Sequence, residues 1–98
     1  MARVSLRSPD LLFGSKVEGA LRAAGHEVVR AGDADVAVVD LTQGEVPDPP
    51  PGIPSLGYYS HVDQETRRSA EAAGYDLVVP RSRMNREAAR LVEGLLDR

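Results

Sequence analysis

The chain predicts an α/β domain built on an open parallel sheet, and three observations carry that prediction. The run Ala34-Asp35-Val36-Ala37-Val38-Val39-Asp40-Leu41 reads as a strand buried on both faces, and it delivers a lone carboxylate to its own carboxyl end. Short apolar runs of strand character are interleaved with amphipathic helical patterns along the chain. The junction Ala23-Ala24-Gly25-His26-Glu27-Val28-Val29 returns as Ala72-Ala73-Gly74-Tyr75-Asp76-Leu77-Val78-Val79, in each case a helix closed by glycine and followed at once by a strand. With 98 residues the expectation is one domain, 1–98, with a single small core to which every layer contributes.

Taken in order, Arg3 to Arg7 alternates, with Val4 and Leu6 on one face and Arg3, Ser5 and Arg7 on the other, the pattern of a strand buried on one side. Ser8-Pro9-Asp10 then predicts a helix start: Ser8 as N-cap, proline at the first helical position and an acid in the first turn. Phe13, Val17, Ala20, Leu21 and Ala24 recur at helical spacing and predict the buried stripe, and Gly25 ends the helix. After the strand Val28 to Arg30, only five residues, Ala31 to Asp35, precede the next strand, which leaves no room for a helix. The segment from Thr42 to Gly52 contains Pro47, Pro49, Pro50 and Pro51 and is not helix, because proline lacks the amide donor and clashes with the preceding turn. In polyproline geometry, at about 3.1 Å per residue, it reaches on the order of 30 Å, enough to return to the start of a parallel strand.

Ile53 to Tyr59 is the fourth strand. Ser60-His61-Val62-Asp63 opens the next helix, with Ser60 or Asp63 as N-cap, and the helix runs to about Ala73 with a thin stripe of Val62, Thr66, Ala70 and Ala73. Leu77 to Val79 is the last strand and Ser82 the predicted N-cap of the final helix. In that helix Met84, Ala88, Leu91, Val92, Leu95 and Leu96 form the strongest amphipathic pattern of the chain.

Composition narrows the function. Without cysteine there is no disulfide, metal thiolate or cysteine nucleophile. No apolar run approaches the roughly 20 residues that span a bilayer, so the expectation is a soluble, cytoplasmic protein with no membrane partner. A net charge of −3 argues against a general nucleic-acid binder, although eleven of the twelve basic residues are Arg, a side chain suited to anions. Two histidines without cysteine are too few for a metal set around His61 and Asp63, and no metal or other cofactor is expected. Ser60 and His61 are merely adjacent, with no nucleophile-elbow signature, and neither GxGxxG nor a Walker sequence occurs, so no catalytic residue is assigned.

The segment ending at Asp40 resembles the phosphoacceptor strand of bacterial response-regulator receiver domains, where an aspartate at this place takes a phosphoryl group from a histidine kinase. The order β-α-β-β-β-α-β-α over nearly the whole chain is similar to that family, which implies a flavodoxin-like sheet of five parallel strands, order 2-1-3-4-5, with the second and third helices missing. Carried onto this sequence, the family's magnesium-binding acidic pair falls on Ser8 and Pro9, with Asp10 one residue beyond. The switch Ser/Thr position falls on Tyr59, with Ser60 next, and the Lys-Pro after the fifth strand becomes Val79-Pro80, followed by Arg81. Of these positions Asp40 alone keeps the family residue. One carboxylate is a poor site for magnesium, which takes several oxygen ligands, so the resemblance implies a degenerate, phosphorylation-independent pseudo-receiver in signal transduction.

In open α/β sheets ligands gather at the carboxyl ends of the strands. That rim is expected to hold Ser8, Asp10, Asp40, Tyr59, Ser60, His61, Arg81 and Ser82. Each serine has a plain duty as a helix cap, and Asp40 as partner of Arg81 or cap of a turn. Taken together the same residues would suit a small anion or a nucleotide, the second reading of the rim; the third is a working phosphoacceptor at Asp40. The Arg residues at 67, 68, 81, 83, 86 and 90 have Glu65, Glu71, Glu87 and Glu93 as helical partners. With two helices missing, part of the sheet is expected to stay uncovered, and that face or the Tyr58-Tyr59 edge is the expected contact surface for a protein partner or a second copy in a homodimer.

Overall fold

The computed structural model describes residues 2–8, 11–30, 33–42, 45–60 and 62–97, with Leu11 by its backbone only. Five strands and three helices follow in the order β1 (Arg3–Arg7), α1 (Leu11–Ala23), β2 (Glu27–Val29), β3 (Val36–Asp40), β4 (Ser55–Tyr59), α2 (Gln64–Ala73), β5 (Leu77–Pro80) and α3 (Arg81–Leu96). The strands form one parallel sheet in the order β2-β1-β3-β4-β5, as the resemblance implied. Among the described residues no helix lies between β2 and β3 or between β3 and β4.

Both predicted glycine endings form. After α1, Gly25 has φ of +93°, its amide bonds to the Arg22 carbonyl at 3.0 Å, and the His26 amide reaches back to Leu21 at 3.0 Å. After α2, Gly74 at φ +106° and Tyr75 repeat the pattern on Glu71 and Ala70. This is the Schellman arrangement, which needs a left-handed residue at its bend and explains the sequence echo without a duplication. The aspartates just before β3 and β5 have a role that the sequence did not announce. Asp35 donates its amide to the Arg3 carbonyl at 2.8 Å and takes the Arg3 amide on its carboxylate at 2.8 Å. Asp76 does the same to Ser55, at 3.1 Å and 2.8 Å. Each aspartate thus satisfies strand-end groups that would otherwise need water.

Strand alternation sorts the core into two clusters. Val4, Leu6, Val36, Val38, Leu56, Tyr58 and Val79 face α1 and α3, which contribute Phe13, Val17, Leu21, Met84, Ala88, Leu91, Val92 and Leu95. The α1 stripe is narrower than the spacing predicted, since Ala20 and Ala24 are exposed. Buried His26 ties α1's end to α3: the Ala2 amide donates to Nδ1 at 3.2 Å, which places the ring proton on Nε2, 2.9 Å from Glu93. α3 bends at Glu87, whose φ and ψ of −130° and 22° leave the helical region.

On the other face Val39, Leu41 and Tyr59 pack with Ala70 and Tyr75, and with the partly buried Val46, Ala73 and Val78. This corrects the expectation of an uncovered apolar face. Leu41, Tyr75 and the proline-rich crossover supply the cover that the missing helices do not. The Tyr58-Tyr59 edge is also corrected: β4 is an interior strand between β3 and β5, and the two rings are buried on opposite faces. Val62, placed by spacing in the α2 stripe, is 77% exposed, because α2 begins only at Gln64.

The Tyr75 hydroxyl donates to the Pro47 carbonyl at 2.8 Å and so pins the crossover. Burial holds the Tyr75 phenol above its ordinary 10.0, with the Arg7 charge opposing and the Asp48 charge assisting. The fold therefore favours the neutral phenol. The stability this gives is complete below about pH 10, the unfolded value, and is lost as pH rises toward the folded one. Urea unfolding at pH 9 and pH 11 is expected to show a larger loss of stability in wild type than in Tyr75→Phe; equal losses would mean that the phenol ionises as freely in the fold as outside it.

Candidate functional site

The carboxyl end of β3 lies between β1 and β4, so the side chains that can meet Asp40 come from the residues following β1 and from the end of β4. Register fixes which ones: Asp40 is opposite Tyr58, and both share the α1/α3 face with Val36, Val38 and Leu56. Asp40 is 7% exposed, and both of its oxygens are engaged. Oδ1 accepts from the Thr42 amide at 2.8 Å and from the Thr42 hydroxyl. Oδ2 accepts from the Ser8 hydroxyl at 3.1 Å, and that hydroxyl in turn accepts from the Tyr58 phenol at 3.0 Å. The Asp40–Thr42 pair is an Asx-turn, in which the carboxylate takes the amide two residues on and directs the chain out of the strand.

Aromatic packing backs this network. The Tyr58 ring lies 5.1 Å from the Phe13 ring at 52°, and the Arg81 guanidinium stands 4.8 Å above Phe13. Among the described residues Asp40 makes no ion pair, so of its two expected duties, pairing with Arg81 or capping a turn, it takes the second, and the Arg81 guanidinium stands over the Phe13 ring.

Of the residues expected at the rim, the structure brings Ser8 and Asp40 into direct contact and sets Arg81 over the Phe13 ring. Tyr59 points to the opposite face, where it is buried with Val39 and Leu41. The Ser60 carbonyl accepts the Asp63 amide at 2.8 Å, and Asp63, not Ser60, caps α2, taking the Thr66 amide at 3.0 Å. Bonds from the Thr66 hydroxyl and amide hold the Asp63 carboxyl below its ordinary 3.8. Ser82 is not a cap: β5 runs directly into α3, Pro80 in extended geometry occupies the cap position, and Ser82 is an exposed second helical residue. Asp10 and His61 lie outside the described residues. Thr42 and Tyr58 were missed. The first was signalled by the spacing Asp40-Leu41-Thr42; the second is set by the pairing of Asp40 with Tyr58, for which the sequence carries no local signal.

Among the described residues no group of three His, Cys, Asp or Glu side chains is placed to hold a metal ion, and no helix is long and apolar enough to cross a membrane. Three of the six Arg side chains of the later helices pair with helical glutamates as expected, Arg67 with Glu71 at 3.6 Å and Arg83 and Arg90 with Glu87 at 3.4 and 3.7 Å, whereas Glu93 is engaged by His26. Such exposed pairs are solvated surface.

No protein-family model matches the sequence, and no curated protein matches it significantly. Solved structures do match. NtrX from Brucella abortus superposes with a TM-score of 0.82 at 18% identity, over 98% of this chain and 27% of that one, so the chain spans about a quarter of NtrX. The CheY-like response regulator receiver domain protein from Methanospirillum hungatei JF-1 gives a TM-score of 0.79 at 16% identity, over 99% and 94% of the two chains. The signal receiver domain of the putative response regulator NarL from Mycobacterium tuberculosis gives 0.76 at 17%, over 98% and 96%. The chain has the receiver fold. Within that fold, shortened by two helices, Asp40 stands at the end of the third strand and Ser8 follows the end of the first.

Proposed function

We propose that this receiver-fold chain is a cytoplasmic regulatory module that works by contact with a protein partner or a second copy of itself, not by catalysis, and that its output does not depend on phosphorylation of Asp40. The observation that carries the reading is the network on that carboxylate. Attack on a phosphoryl group needs an accessible carboxylate oxygen and a cation to neutralise the charge on the transferring group, and Asp40 is buried. Here one oxygen is held by Thr42 and the other by a Ser8–Tyr58 hydroxyl chain. Ser8 also stands where the resemblance places the first metal-binding acid, and a hydroxyl already bonded on both sides is a weak ligand for magnesium. The aspartate is used to close the β3 turn and to fasten β1 and β4 to it.

Molecular mass by light scattering over a concentration series, with and without beryllofluoride and magnesium, tests this. The expected result is a mass indifferent to the mimic at every concentration. A mimic-dependent change that disappears in Asp40→Asn would mean that the site still takes a phosphoryl group and switches association, against the proposal.

A further inference from the structure

The two faces of the sheet are covered in different ways. α1 and α3 close the first with helices whose backbones are internally bonded. The second relies on α2, on Leu41 and Tyr75, and on the crossover before β4, which presents half-buried Val46 to the cluster. Pro47, Pro49, Pro50 and Pro51 have no amide to donate, so the crossover cannot be laced to a neighbour by a ladder. Among the described residues one hydrogen bond joins residues 45–53 to the rest of the chain, that from the Tyr75 hydroxyl to the Pro47 carbonyl at 2.8 Å. Pro49 adds a packing contact, its Cγ 4.0 Å from where a Cβ on Gly74 would be. At the far end Gly52 turns the chain with φ of +83° toward Pro54, whose carbonyl is fixed by the Ala37 amide at 2.9 Å. A segment so held, between β3 and a fixed strand start, can leave without breaking any sheet hydrogen bond.

We infer that residues 45–53 form a strap that opens as a unit while the sheet and the α1/α3 core stay folded, uncovering the cluster around Val39, with the Tyr75 hydroxyl as its latch. Local opening of this kind belongs to segments with few buried contacts and no backbone ladder. The strap is polyproline-rich and so already extended, and it loses little order by staying so when released.

Because the chain has no cysteine, a single engineered thiol reports each core separately. Val39→Cys sits in the second cluster and Val17→Cys in the first, both at buried positions with little change of volume. In native buffer Val39→Cys is expected to react with a thiol reagent about tenfold faster than Val17→Cys, with a shallower rise on adding urea. Val92→Ala, which loosens the first core alone, should speed Val17→Cys and leave Val39→Cys unchanged. Tyr75→Phe should speed both about five-fold, since the latch is lost in the open and the unfolded states alike. If Val39→Cys follows Val92→Ala and shares the urea slope of Val17→Cys, the face opens only by global unfolding and the strap is refuted. If Val39→Cys ignores Tyr75→Phe, the latch is refuted.

Discussion

Asp40→Ala is expected to lower the stability of the fold by about 3 kcal/mol, which for a domain of this size is a fall in Tm of roughly 12–24 °C. The carboxylate is 7% exposed and accepts from three donors on two sides, the Thr42 amide and hydroxyl and the Ser8 hydroxyl. Bonds to a charged acceptor contribute about 1.5–3 kcal/mol each, but three on one carboxylate do not add. Alanine removes the carboxylate that the Thr42 amide and hydroxyl bond to and the side-chain link to Ser8 after β1, while Ser8 keeps Tyr58. Asp40→Asn should lose only about 1 kcal/mol, because its carbonyl still serves Thr42 and the new amide can donate to the Ser8 oxygen once that hydroxyl turns its proton away. Urea unfolding of the two variants checks the order. If both remain within about 0.5 kcal/mol of wild type, the carboxylate does not hold the turn.

Gly57→Ala is expected to destabilise by about 2 kcal/mol, and the loss should vanish when Leu41 is truncated. A Cβ on Gly57 would stand 2.5 Å from Leu41 Cδ1, 3.1 Å from its Cγ and 3.5 Å from the Tyr75 ring. The leucine lies flat on the bare backbone of β4 in the middle of the second face. It is itself buried, so it cannot swing away without opening the cluster. Leu41→Ala alone should lose about 3 kcal/mol through the cavity it leaves. With Leu41→Ala in place the added methyl of Gly57→Ala enters that cavity, and the double variant should be no less stable than Leu41→Ala, a coupling of about 2 kcal/mol. Strict additivity would mean that Leu41 and Gly57 do not touch.

These two sites show what the sequence could and could not convey. Elements were legible where the physics is local: the Gly25 and Gly74 endings, the alternation of Val4 and Leu6, the amphipathic run from Met84 to Leu95 and the prolines that forbid a helix after Thr42. Asp40 was legible because a lone charge ending an apolar run stands out. Its surroundings were not, because they depend on register. Matching to the receiver pattern pointed to Tyr59, whereas pairing of Asp40 with Tyr58 sets the face, and pairing is a long-range fact. The cover of the second face was hidden for a similar reason. Neither Gly57 nor Leu41 announces that one rests on the other, and Tyr75 read only as the residue after a cap.

In the proposed function Asp40 is a fastening in a receiver fold and not a reactive group. That role is tested most directly by incubating the full chain with acetyl phosphate and magnesium and reading its intact mass beside that of Asp40→Asn. The expected result is the unmodified mass for both proteins. A phosphoryl increment on wild type that is absent from Asp40→Asn would contradict the proposal and make this shortened chain a working phosphoacceptor.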